Sequence, residues 1–199
     1  MKTPLRLSNH RHPYLMAVIV FLVLCVVNAI LQPTFLRFGV AASNVAAFLP
    51  MALVAIGQTY VVLASDIDLS AGAIVSVVNV VVVSIVEGMG GTGASVAVGL
   101  TLGIAVGLIC GAVNGLCVAY LRFQPIVTTF ATGIVFAGFA LWVLPEAGKQ
   151  VPPEFYLAYA GAVLGVPTVL WILVAAIAFA AIVARTRFYQ ALRATGTPV

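Results

Sequence analysis

Along this chain the apolar residues come in long runs and the polar residues in short clusters between them. Six runs stand out: Tyr14–Leu31, Val45–Ala64, Ala71–Val86, Ala94–Leu121, Ile126–Leu144 and Val166–Ala184. A helix needs about 20 predominantly apolar residues to cross the hydrocarbon core of a bilayer. The strands of a membrane barrel would instead alternate apolar and polar residues over about ten positions, and these runs do not alternate. Lipid offers no partner to an exposed backbone N–H or C=O, so a span of this kind closes its hydrogen bonds internally, as a helix. The pattern therefore predicts an all-α, polytopic transmembrane helical bundle of about six spans, with a broken helix where the polar cluster at residues 65–70 interrupts it.

Composition points the same way. The 199 residues are 63% hydrophobic and 7% charged, against about 25% charged in a soluble domain. So few charges cannot cover a water-facing surface, and lipid must be the solvent for most of it. The net charge of +4 does not point to nucleic acid, because no basic run with interleaved aromatics is present. Lys and Arg instead report orientation. With the N-terminus cytoplasmic and six alternating spans, the inside segments hold Lys2, Arg6, Arg11, Arg122, Arg185, Arg187 and Arg193, and the outside ones hold only Arg37 and Lys149. This divides the chain into a cytoplasmic tail, 1–13, a transmembrane domain, 14–184, and a cytoplasmic segment, 185–199. The first run is too long for the apolar core of a signal peptide and no A-x-A site follows it, so it reads as a retained span. The longest outside loop, 145–165, carries Pro145, Pro152 and Pro153 and caps the bundle or meets a partner.

Two features inside the runs are unusual. The fourth run would be about 42 Å long at 1.5 Å per residue, and Gly99, Gly103, Gly107, Gly111 and Gly115 recur in it every fourth position. Small residues on one face let helix backbones approach closely, and such approach drives association in lipid, so all five are read as helix-packing positions. The second feature is Ser65-Asp66-Ile67-Asp68-Leu69-Ser70, with two acids and no basic neighbour. Ionisable groups at membrane depth are costly and mark function. Asp68 or Ser70 is placed to cap the following helix by accepting its free N–H groups. A role in a solute path and a plain solvated turn are the other readings. Gln58, Asn79 and Asn114 are polar residues within runs, read either as path-lining groups or as interhelical hydrogen bonds. Pro50 and Gly57 loosen the second span.

The remaining chemistry is sparse. Cys25, Cys110 and Cys117 sit in apolar runs without metal-ligand spacing and read as small packing residues; no metal and no cofactor is expected. There is no GxxxxGK[ST] loop, GxSxG or HExxH motif, so neither a nucleotide site nor a catalytic centre is expected in this sequence, and energy for active transport would come from another subunit or from an ion gradient.

Several stretches resemble a known family in order along the chain. Ile67-Asp68-Leu69-Ser70-Ala71-Gly72, after Gly57-Gln58-Thr59, resembles the "GIDLSVG" signature of sugar-type ABC importer permeases, the ribose, xylose and galactose group. Gly111-Ala112-Val113-Asn114-Gly115 resembles its "GxxNGxxV" helix, and Leu121-Arg122-Phe123-Gln124-Pro125-Ile126-Val127-Thr128-Thr129 its "LRIPPFIAT". Val166-Pro167-Thr168-Val169-Leu170-Trp171-Ile172 resembles "VPTPVWI", and the stretch from Thr186 to Gly196 resembles "TRFGRALRAVG". The resemblance runs from about residue 45 to the C-terminus. It implies a permease subunit in a bacterial inner membrane that forms a pathway with a second permease subunit, receives a sugar from a periplasmic binding protein and is driven by cytoplasmic ATPase subunits. It also implies that Arg193, Ala194, Thr195 and Gly196 begin the segment that meets the ATPase. Three departures go with it. Family members are longer, with about ten spans, so the chain is expected to be a truncated product or part of a permease. Ala137 stands where an arginine is frequent, and Ser65 where glycine is frequent. Two other readings follow from the residues: an ion-coupled carrier using Asp66 and Asp68, and a non-transporting permease remnant.

Overall fold

The computed structural model describes residues 14–146, 148–149 and 151–196; the expected tail 1–13 and residues 197–199 lie outside them. The chain divides into two compact units, Met1–Asn44 and Val45–Val199. In the first, α1 (Tyr14–Leu31) is followed by a short 3-10 helix, Pro33–Leu36, against which it packs. The second helix, α2, runs Phe38–Leu63.

The second unit continues with α3 (Ala71–Gly88), α4 (Gly93–Ala119), α5 (Pro125–Val143), α6 (Pro153–Ala160), α7 (Thr168–Ala184) and α8 (Arg187–Gly196). Each of the six apolar runs contains most of one of these helices. Four helices, α2 to α5, are long and apolar enough to cross a membrane, and α7 with α8 makes a fifth if that bent pair is one span. This is the helical bundle of a multi-pass membrane protein.

Burial is inverted relative to a soluble fold. The fully enclosed side chains are small or polar, among them Val77, Val86, Ser70 and Ser95, while Phe21, Phe130, Trp142 and Phe179 face outward. That is the distribution expected when lipid tails are as apolar as the side chains, so that helices associate through close packing and hydrogen bonds.

Local chemistry sets the ends of the helices. Thr92 caps α4 by accepting from the Ser95 N–H at 3.2 Å. Pro125 occupies the first turn of α5, where its missing N–H costs nothing. Gly90 and Gly91, at φ 80° and 67°, close α3, with the Gly91 N–H reaching the Val86 carbonyl at 2.9 Å in the manner of a Schellman cap.

Some expected boundaries need correction. The second span begins at Phe38, not Val45, because the small residues around Asn44 continue the helix despite their lower hydropathy. The third begins at Ala71 as expected and ends two residues later, at Gly88. Val166-Pro167 does not begin the last span. It pairs antiparallel with Ala162-Val163 around a two-residue loop, Leu164-Gly165, whose φ angles of 55° and 77° are both positive, as a type I′ turn requires.

The loop 145–165 folds back on the bundle. Lys149 pairs with Glu87 at 3.1 Å. Pro50, inside α2, has no N–H to give the carbonyl of Ala46, and the Tyr159 hydroxyl of α6 donates to that carbonyl at 2.7 Å. Burial pushes the Tyr159 hydroxyl above its ordinary pKa. At the other end of the chain α8 turns away from α7 by 74°.

Candidate functional site

The segment between α2 and α3 leaves regular structure at Ala64 and does not regain it until Ala71. It turns at Ser65, whose φ of 63° lies in the left-handed region that glycine occupies without steric cost. This is the position where the resembled family frequently has glycine, so the departure noted in the sequence falls where glycine has a physical use.

The segment is held by a directed chain of hydrogen bonds. Thr132 Oγ1 of α5 donates to Asn114 Oδ1 of α4 at 2.7 Å. Asn114 Nδ2 donates to Ser70 Oγ at 2.7 Å, and Ser70 Oγ donates to Asp68 Oδ1 at 2.6 Å. The Ser70 N–H reaches the same carboxylate oxygen at 2.7 Å. Each link uses one donor and one acceptor, and the chain ends on an anion, so each bond polarises the next. Ser70 and Asn114 are buried, where an unmade hydrogen bond would be costly. A second tie comes from Thr129, which accepts from the Leu69 N–H at 3.0 Å while donating to the Pro125 carbonyl at 2.9 Å. The 69–70 backbone lies directly over Gly133, where an added Cβ would come within 3.4 Å of Ser70 Cα.

The capping expectation is therefore modified. Ser70 holds the N-cap position of α3, but its side chain accepts no helix N–H; it is spent on Asp68 and Asn114. Asp68 accepts from Ser70 itself, one residue before the helix. Three contributors stood outside the candidates read from the sequence: Thr129, Thr132 and Gly133. Thr129 lay within a resembled motif, but nothing in its spacing marked it as a support.

The other candidate residues separate into two groups. Gln58 joins the site by a long bond to the Asp68 carbonyl, 3.4 Å. Asn79 does not join it. It is exposed on α3, beside a different cavity of about 400 Å³ shared with Val151 and Phe155 of the 145–165 loop. Of the five glycines, Gly99, Gly103 and Gly107 face the valines of α3, whereas a Cβ on Gly111 or Gly115 would meet nothing within 4 Å. The packing expected of all five is thus found within the chain at three. Gly111 and Gly115 instead border a cavity of about 360 Å³, lined also by Asp66, Asp68, Asn114 and Thr129 and by Phe188 and Leu192 of α8. Tyr60, at the end of α2, ties this region to the last helices. Its hydroxyl donates to the Ala180 carbonyl at 3.2 Å, and its ring meets Tyr189 edge-on at 6.5 Å. Arg193, Ala194 and Thr195 are exposed on α8. No cluster of three or more His, Cys, Asp or Glu side chains suited to a metal ion occurs among the described residues.

A family model described as branched-chain amino acid transport system / permease component matches residues 40–198. The chain is 32% identical over 146 residues to the autoinducer 2 import system permease protein LsrC of Escherichia coli (strain K12 / DH10B), covering 72% of the chain and 42% of that protein. It is 31% identical over 153 residues to the probable ABC transporter permease protein y4mJ of Sinorhizobium fredii, covering 75% and 43%. It is 32% identical over 122 residues to the galactofuranose transporter permease protein YtfT of Escherichia coli (strain K12), covering 60% and 34%. The chain thus spans less than half the length of these curated relatives. No solved structure matches it.

Proposed function

We propose a function from one premise: the chain belongs to the permease-component family of branched-chain amino acid transport systems, in its sugar-type ABC branch. On our reading it is the membrane-spanning permease subunit of an ATP-driven importer for a monosaccharide, and it contributes to the translocation pathway. The name of one relative, a galactofuranose transporter permease, supports the sugar class. The observation that carries the reading is the 64–70 segment, an irregular stretch of backbone held between apolar helices by the Thr132–Asn114–Ser70–Asp68 chain and bordered by a cavity. Non-helical backbone within a membrane bundle is tolerated where it is enclosed by protein or lines a water-filled space, and a pathway supplies both.

The remaining assignments follow from that role. The protein sits in the bacterial inner membrane with residues 1–13 and 185–199 cytoplasmic and 14–184 spanning. A second permease subunit completes the pathway, a periplasmic binding protein delivers the sugar, and ATP is hydrolysed on separate cytoplasmic subunits that meet Arg193, Ala194, Thr195 and Gly196. The subunit itself makes and breaks no covalent bond. Asp68, Ser70 and Asn114 hold the segment in place, and Gln58 supports it.

The test is a pull-down of the tagged chain from detergent-solubilised native membranes. Recovery of an ABC ATPase subunit is expected. Its absence, with the chain abundant and folded, would sink the importer reading and leave the ion-coupled carrier or the non-transporting remnant. In an assembled importer, Asp68→Asn should keep more transport than Asp68→Leu, because the Asn side-chain oxygen can still accept from Ser70. Equal loss in both would assign Asp68 a role that needs its charge.

A further inference from the structure

Two carboxylates border the cavity beneath the 64–70 segment, and they are not equivalent. Asp68 is engaged: one of its oxygens accepts from both the hydroxyl and the N–H of Ser70. The Asp66 carboxylate is half-buried at the same cavity and, among the described residues, makes no hydrogen bond or ion pair. We infer that Asp66 is the carboxylate that contacts the solute, and that this cavity holds a monosaccharide during its passage. The inference rests on the permease reading above and names the place in the pathway where that solute is held.

The chemistry of the walls selects the class. An ionised carboxylate only accepts, and at a partly desolvated position it calls for donors. A hydroxyl-rich solute supplies several, and hydrogen bonds to an ionised acceptor are the strong ones. Phe188 and Tyr60 are also among the residues that line the cavity, and aromatic side chains suit the C–H face of a sugar ring. Gly111 and Gly115 project no side chain into the space, so a solute can come close to the α4 backbone. At about 360 Å³ the cavity is near the lower end of small-molecule pockets, roughly 300–1,000 Å³. A purely apolar solute would leave Asp66 unpaired. Phe188 and Leu192 belong to α8, so movement of that helix changes the size of the cavity.

The experiment uses inverted membrane vesicles carrying the full chain, with Cys25, Cys110 and Cys117 replaced by alanine and with Gly115→Cys introduced. The new side chain has room, since a Cβ there meets nothing within 4 Å. The rate of labelling by a small charged thiol reagent is measured alone, with D-galactose, with D-ribose, and with sodium or potassium ions. Labelling is expected, slowed several-fold by at least one of the sugars. Adding Asp66→Leu should preserve labelling and abolish the slowing. Asp66→Asn, which keeps an acceptor and perturbs the fold less, should weaken it. Absence of labelling in folded protein, slowing by cations alone, or slowing that survives Asp66→Leu overturns the inference. The permease reading is judged separately, by whether the ATPase copurifies from the same membranes, so the two can fail independently.

Discussion

In the first half of α4, the places left open at Gly99, Gly103 and Gly107 are taken by valines of α3; in the second half, those at Gly111 and Gly115 stay open among the described residues. A Cβ on Gly99 would come within 2.9 Å of Val86 Cγ2, one on Gly103 within 2.5 Å of Val82 Cγ2, and one on Gly107 within 3.4 Å of Val78 Cγ2. The same residue at the same spacing therefore serves two purposes. Where a neighbouring helix presents branched side chains, each missing side chain becomes a notch and the helices lock. Where the neighbour is the irregular 64–70 segment, the notch stays open and becomes part of a cavity. Attachment in that second half passes instead to Asn114, one residue before Gly115, through its bonds to Ser70 and Thr132. Packing holds one half of α4 and hydrogen bonds hold the other.

The largest effect that tests this contrast lies in the first half. Gly103→Ala is expected to destabilise the protein by about 1–3 kcal/mol, the usual cost of overfilling a packed interface. The clashing atom is a valine methyl, and valine in a helix has one strongly preferred rotamer, so it cannot simply step aside. Gly103→Leu should cost more and separate α3 from α4. Thermal unfolding in detergent reads both, and an unchanged midpoint for Gly103→Ala would mean that the two halves are alike after all.

The next effect lies in the second half. Asn114→Leu removes two short hydrogen bonds: the Thr132 hydroxyl loses an acceptor, and the Ser70 oxygen loses its donor while its own proton stays on Asp68. Interhelical bonds in membranes average about 0.6 kcal/mol and reach about 1.7, so a loss of about 1–2 kcal/mol is expected. Thr132 can turn to the Thr128 carbonyl, already 3.0 Å away. Ser70 keeps its bond to Asp68 but loses its tie to α4, so the damage should concentrate at the 64–70 segment. Faster hydrogen exchange at 66–70 than at 76–86 is the expected signature. Uniform loosening of α3 would show that Asn114 supports the whole interface and not one end of it.

The sequence made the helices legible and their faces hardly at all. Long apolar runs gave the existence of every span, because length against the thickness of lipid is a coarse and robust signal. It did not tell which side of a span meets protein, since lipid-facing and protein-facing positions are both apolar and the periodicity that marks a core face in water is weak. This is why Asn79 could be offered as a path residue although it points away from the site, and why the five glycines looked equivalent. The 64–70 segment was visible because acids in an apolar context are rare. Its supports on α5 were not, because threonine within a helix commonly bonds the carbonyl four residues back. Thr129 and Thr132 do this too, at 2.9 and 3.0 Å, while also serving Leu69 and Asn114. The helix α6 and the two-residue hairpin were hidden by prolines that read as plain loop.

The smallest expected effect is the most discriminating. Gly111→Ala and Gly115→Ala add a methyl group where nothing lies within 4 Å, so neither should introduce a clash. Glycine in a helix interior is less favourable than alanine by roughly 0.5–1 kcal/mol, so each substitution should leave stability unchanged or raise it slightly. Gly103→Ala, chemically the same change, sits only two turns away on the same face of the same helix. A stabilised Gly111→Ala beside a destabilised Gly103→Ala would tie the difference to what stands opposite each glycine, not to glycine itself. If Gly111→Ala and Gly115→Ala destabilise as strongly as Gly103→Ala, then a surface outside this chain fills those notches in the membrane, and the open space beside Asp66 belongs to an interface with another subunit.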